Sequence, residues 1–142
     1  MSIILDASMA LAWLIERADR TEAALAQRAF AEVSASGARV PALWYWEVAN
    51  TLLVFERAKR LTEQLSASYL SDLSLMAISL DDLSPALRQT RVLDLGRMHK
   101  LTAYDAPYLE LAMRRAATLA TFDRKLADAA RAAGVRVFGD PA

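Results

Sequence analysis

The chain opens on three consecutive apolar residues, Ile3-Ile4-Leu5, and an acid, Asp6, ends the run. A short continuous apolar run of this kind predicts a strand buried on both faces. Ser8 is placed to cap a helix over residues 9–17. A second helix is expected over 21–34 with Thr21 as its cap, broken by Ser36-Gly37. Arg39-Val40-Pro41 predicts a brief strand that proline stops. Helical spacing follows over 43–60, then over 63–73, and 76–80 reads as a third strand. Ser84-Pro85 is a helix start, serine as cap and proline in the first position, and that helix runs to about residue 99. The remaining pattern predicts a helix over 104–116, a strand over 118–121, a helix over 123–133 closed by Gly134, and a last strand over 135–138. Strands alternating with helices argue for an α/β domain with a mostly parallel sheet.

The length, 142 residues, fits one domain spanning 1–142. Hydrophobic residues make up 55%, enough to leave some apolar surface for a partner. Lys plus Arg equals Asp plus Glu at 17 each, which argues against binding nucleic acid by bulk charge and leaves room only for a local basic patch. The absence of cysteine excludes disulfides and cysteine-based zinc, redox or nucleophilic chemistry. The start has no basic segment before its apolar run, and no run approaches the roughly 20 residues that span a bilayer. A soluble, cytoplasmic protein is therefore expected.

Several acids occupy related places. Asp6 directly follows the first strand, Asp123 follows the fourth, Asp105 lies in the first turn of a helix, and Glu47 lies near the start of the helix after the second strand. Open parallel sheets bind ligands beyond the carboxyl ends of their strands, so these four can face one rim. Carboxylates gathered there repel one another, and a hard divalent cation such as Mg²⁺ or Mn²⁺ relieves that cost. A cation so held makes a better nucleophile of water and stabilises charge on a phosphoryl oxygen. The acids also have plainer readings: Asp105 and Asp123 as helix caps, and Glu47 as a solvent-facing residue.

At these residues the sequence resembles the PIN-domain ribonucleases, in particular VapC-type toxins of bacterial toxin–antitoxin pairs. The matching segments are Ile3-Ile4-Leu5-Asp6-Ala7-Ser8, then Trp46-Glu47-Val48-Ala49-Asn50, then Thr102-Ala103-Tyr104-Asp105-Ala106-Pro107-Tyr108, then Leu119-Ala120-Thr121-Phe122-Asp123. They occur in the family's order and together span nearly the whole chain. The resemblance implies a PIN-like domain with a parallel sheet of about five strands in the order 3-2-1-4-5. It implies that Asp6, Glu47, Asp105 and Asp123 are the catalytic acids and hold one or two Mg²⁺ or Mn²⁺ ions. Ser8 and Thr121 would support the site through their hydroxyls, and Asn50, one turn after Glu47, would help orient it. The implied reaction is hydrolysis of an RNA phosphodiester, the implied inhibitor is a small antitoxin, and a homodimer is common. Many members of the resembled family carry His-Gly-Leu-Thr before the Tyr-Asp block, where this chain has His99-Lys100-Leu101-Thr102.

Other residues have two readings each. Trp44, Tyr45 and Trp46 fit core packing first, and an RNA-stacking or antitoxin surface second. Trp13 and Leu14 read likewise as core before groove. Arg114-Arg115 complement a helix C-terminus or belong to a phosphate track. Arg124 and Lys125 fall in a first turn, where the helix dipole disfavours cations, and so are better candidates for RNA contact. His99 reads as a helix C-terminal residue before a general base, and Asp128 as a surface acid before a fifth member of the site. Two rival functions remain: a phosphatase-like hydrolase with Asp6 as covalent nucleophile, against which Asp6-Ala7-Ser8 lacks the second acid of an Asp-x-Asp motif, and a PIN scaffold kept for partner binding without catalysis.

Overall fold

A computed structural model describes residues 1–142. Its first strand, β1 (Ile3–Leu5), is wholly buried, as a continuous apolar run requires. The chain continues through α1 (Ala7–Leu11), α2 (Arg20–Ser36), β2 (Ala38–Val40), α3 (Leu43–Arg57), α4 (Glu63–Ser74) and β3 (Ile78–Leu80). It ends with α5 (Pro85–His99), α6 (Ala106–Arg114), β4 (Thr118–Ala120) and α7 (Arg124–Ala132). The sheet runs β3-β2-β1-β4, and every pairing is parallel. Val137 pairs with Leu119 through one parallel bridge, so the expected fifth strand occupies its place beside β4 as a single contact.

β1 lies between β2 and β4, with Ile4 opposite Arg39 on one side and Leu119 on the other. The chain moves outward from β1 in one direction to β2 and β3, and returns to β1's other side with β4. The order therefore reverses at the β1/β4 seam, where an α/β sheet opens a crevice at its carboxyl rim. Helix α1 packs against α2 and α3, while α6 packs on β1, β4, α5 and α7. Seven consecutive residues of α6, Ala106 through Ala112, are buried. A helix enclosed on this scale has no water-facing stripe, and its polar members, Tyr108 and Glu110, must find partners inside.

Several boundaries differ from expectation. Asp6, not Ser8, holds the N-cap position of α1, and that helix stops at Leu11 rather than near Arg17. Ser8 lies inside the helix with its hydroxyl turned back to Asp6. Asp19, not Thr21, caps α2, accepting from the Glu22 amide at 2.9 Å. Helix α3 ends at Arg57 because Lys59 takes a left-handed conformation. Lys100 also takes the left-handed conformation after α5, at φ 56°, so this turn is made by a residue that tolerates it less well than glycine would.

Gly37 ends α2 at φ +78° and leads straight into β2. A Cβ there would lie 2.6 Å from the Ala77 carbonyl oxygen, which accepts from the Ala38 amide. Gly37→Ala is therefore expected to destabilise the fold by about 2 kcal/mol or more, through both the positive φ and the blocked β2–β3 approach. Urea unfolding checks this, and an unchanged midpoint would contradict it.

Candidate active site

Asp6 continues β1 toward the rim, its amide donating to the Ala120 carbonyl at 3.0 Å. Its side chain is only 6% exposed. Oδ2 accepts two hydroxyl hydrogen bonds, from Ser8 Oγ and from Thr121 Oγ1, each at 2.6 Å. Those hydroxyls are themselves oriented. Phe122 N–H donates to Ser8 Oγ and Asp123 N–H donates to Thr121 Oγ1, each at 2.9 Å. An amide can only donate, so each hydroxyl accepts from it and has its single proton left for Asp6. Residues separated by more than a hundred positions thus lock one carboxylate across the β1/β4 seam.

Asp123 follows β4 and caps α7, with Oδ1 accepting from the Leu126 amide at 2.9 Å. The plain cap reading holds for this residue, but it uses one oxygen and leaves Oδ2 without a hydrogen-bond partner. Asp105 occupies the N-cap position of α6 in helical conformation, and its side chain makes no capping bond. The Thr102 hydroxyl accepts from the Asp105 amide instead, at 3.1 Å. Glu47 is half-buried in the first turns of α3. Its Oε1 accepts from the Tyr108 hydroxyl at 2.5 Å.

Three of the acids, Asp6, Glu47 and Asp105, each sense the charge of another acid at the rim. Burial pushes the Asp6 carboxyl up, the Ser8 and Thr121 hydroxyls pull against this, and Asp105 and Asp123 add to the rise. Burial likewise pushes Glu47 up to about 7, opposed by Tyr108 and reinforced by Asp6 and Asp105. Asp105 is raised by burial and then by Asp123, with Thr102 and Lys125 holding it back in part. Anionic repulsion at one rim is what the sequence pattern anticipates. No three of the side chains, however, stand at distances that would enclose one ion. The donors are all carboxylate and hydroxyl oxygens, the kind that suits a hard divalent cation.

The other candidates divide. Arg124 and Lys125 are exposed and unpaired in the first turn of α7, beside Asp123. Asn50 is exposed on α3 and makes no hydrogen bond to Glu47, whose partner is Tyr108. Asp128 is exposed and paired with Arg131, the surface-acid reading. His99 ends α5, with no charged partner. Trp44 is core, as expected for its cluster, but Trp46 is 74% exposed and Tyr45 is also exposed, so core packing fails for these two. Trp13 is half-buried and donates from Nε1 to the Ala26 carbonyl.

Two features escaped the sequence reading. Tyr108 is fully buried and meets an acid 61 positions away. An ion network also joins the buried Asp81, Arg88 and Glu110 to the more exposed Arg114. Arg88 and Arg114 both donate to Asp81, at 2.5 and 2.6 Å, and Arg114 binds Glu110 one turn back at 2.9 Å. Arg88 Nε lies 3.3 Å from Glu110, near enough for attraction but not aligned as a hydrogen bond. Arg115 adds a weaker contact to Asp82. Arg114 is thereby committed and unavailable as a phosphate track. Asp81 immediately follows a strand, as Asp6 does, and that signal could have singled it out.

Comparison with known proteins agrees with this architecture. No curated protein matches the chain at a significant level. Among solved structures it is similar to PAE2754 from Pyrobaculum aerophilum, at 21% identity and TM-score 0.64, covering 91% of this chain and 87% of that one. It is also similar to FitAcB from Neisseria gonorrhoeae, at 18% identity and TM-score 0.61, covering 98% and 97%. At such identities the likeness is one of fold. The PIN domain family model, in turn, matches residues 3–132, every strand and all four acids included, and the chain belongs to the PIN-domain family.

Proposed function

We propose that this PIN domain is a metal-dependent endoribonuclease and the toxin of a type II toxin–antitoxin pair. PIN domains are in general nucleases. The observation that carries the finer reading is the gathering of Asp6, Glu47, Asp105 and Asp123 at the carboxyl rim of the sheet, near enough that Asp6, Glu47 and Asp105 are each raised by a neighbouring acid. In this reading the four acids hold Mg²⁺ or Mn²⁺. The oxygen donors fit, and such an ion needs only one or two carboxylates because it keeps several waters. When bound, the cation activates water and offsets charge on the phosphoryl oxygen.

The chain's own residues have distinct tasks. Ser8 and Thr121 fix Asp6 in one rotamer, so its free Oδ1 points where the seam dictates. Asp123 divides its oxygens between the helix and the site. Arg124 and Lys125, unpaired and exposed, take the RNA backbone as local charge in a chain with none overall. Asn50 lies one turn from Glu47, facing solvent where a substrate or bound water can reach it. Asp6 as covalent nucleophile loses support, because it is buried and one of its oxygens is doubly hydrogen-bonded.

An antitoxin and a second copy of the chain complete the reading. Exposed Trp46, Leu80, Leu93 and Tyr104 line a cleft of about 760 Å³ and supply apolar area for such contacts to cover. A cytoplasmic setting belongs to the same reading, and no helix is long and apolar enough to cross a membrane. The test is cleavage of single-stranded RNA by purified protein. Cutting is expected with Mn²⁺ or Mg²⁺ and is expected to stop in EDTA. Undiminished cutting in EDTA, or none with either metal, overturns the proposal.

A further inference from the structure

We propose that Tyr108 is a positioning residue that fixes the Glu47 carboxylate for the cation, an inference resting on the metal-dependent reading above. Tyr108 has no exposed surface, and its ring is held in the core beneath the rim. Its hydroxyl reaches Glu47 Oε1 at 2.5 Å, the only hydrogen bond that carboxylate makes. A buried phenol cannot turn to water for a partner, so this donor stays on Glu47. Burial, with Asp6 and Glu47 close by, also keeps the phenol protonated.

The consequence is a division of labour within one carboxylate. Oε1 belongs to Tyr108, and Oε2 has no protein partner. Glu47 stands on α3 and Tyr108 on α6, so the bond also ties the two helices that carry Glu47 and Asp105. Without it, Glu47 is a half-exposed side chain with several rotamers, and each ion bound must first order it. The arrangement repeats on Glu47 what Ser8 and Thr121 do for Asp6: a neutral hydroxyl orients an anion and adds no competing charge.

The test is a double-mutant cycle on Mn²⁺ affinity, measured calorimetrically with Tyr108→Phe, Glu47→Gln and the double variant. Tyr108→Phe keeps the ring and removes only the donor. A hydrogen bond to a charged group corresponds to roughly tenfold or more in affinity, so Tyr108→Phe is expected to weaken Mn²⁺ about tenfold. If Tyr108 acts through Glu47, the double variant binds no more weakly than Glu47→Gln alone. Unchanged affinity in Tyr108→Phe, or losses that multiply, overturns the proposal. The metal-free protein supplies a second readout: the Tyr108 hydroxyl proton is expected as a protected NMR resonance that shifts in Glu47→Gln. No such resonance overturns the positioning role. A normal resonance in a wild-type protein that binds no Mn²⁺ places the failure in the metal reading, and the proposal falls with it.

Discussion

Asp6→Asn is expected to lower metal-dependent RNA cleavage by on the order of a thousandfold while leaving the metal-free protein at least as stable at pH 7 to 8. The two effects have one origin. Asparagine keeps a carbonyl oxygen to accept from Ser8 and Thr121, so the local packing survives. It removes the one charge that is almost wholly buried at the rim. In the metal-free fold that charge is unfavourable, because burial, Asp105 and Asp123 all oppose it. The sign with pH follows. A carboxyl whose folded pKa is raised binds protons more readily folded than unfolded, so stability falls as pH rises from the ordinary carboxylate value to the folded one. For Glu47 that interval runs from 4.5 to about 7. Melting temperature of the metal-free protein is therefore expected to decline across this interval, and less steeply in Asp6→Asn. Excess Mn²⁺ is expected to reverse the decline, since it binds the deprotonated acids of the folded state alone. A variant that loses activity only because it melts lower would contradict the assignment.

Arg88→Met is expected to cost about 3–5 kcal/mol of unfolding free energy, the largest loss of stability among the substitutions considered. Arg88 and Asp81 are both buried, with side-chain exposures of 8% and 0%. Methionine fills much of the volume of arginine but removes one of two cations serving two buried acids. Arg114, helped only by a 4.0 Å contact from Arg115 to Asp81, would then neutralise Asp81 and Glu110 together. The network also has a pH signature opposite to that of the rim. Burial would raise Asp81, but hydrogen bonds and charge from Arg114 and Arg88 outweigh it and hold the carboxyl below its ordinary value. Its stabilising contribution is present above the ordinary carboxylate range and is lost as pH falls through that lowered value. Urea unfolding of wild type and variant at neutral pH measures the difference. A loss under about 1 kcal/mol would mean that water, not Arg88, solvates Asp81.

Most of the framework was legible because its signals are local. A continuous apolar run marked β1, Ser84-Pro85 marked α5, and Thr121-Phe122-Asp123 marked the turn into α7. Asp6, Glu47, Asp105 and Asp123 could be singled out because strand ends and helix starts are visible in a sequence and a sheet rim collects them. The missed items depend on pairings between distant positions. Nothing near Tyr108 announces that its hydroxyl meets Glu47, and nothing near Arg88 announces Asp81 and Glu110. Caps failed where two candidates stood close together: Asp19 and Thr21 compete for one helix start, and the chain's path into the core decides between them. The aromatic cluster failed differently. Consecutive residues 44 to 46 on a helix point in three directions, so they could not all be core.

Enclosure of α6 has a mechanical corollary. Asp105 begins this short rod, Tyr108 follows one turn in, and Glu110 with Arg114 anchors its far end. A helix buried over seven consecutive residues has little room to bend and absorb a disturbance, so slackening the anchor displaces the opposite tip. Substitutions at Glu110 or Arg114 that reduce turnover should therefore be interpreted first as a tilt of the axle, with the chemistry at its end merely moved out of line.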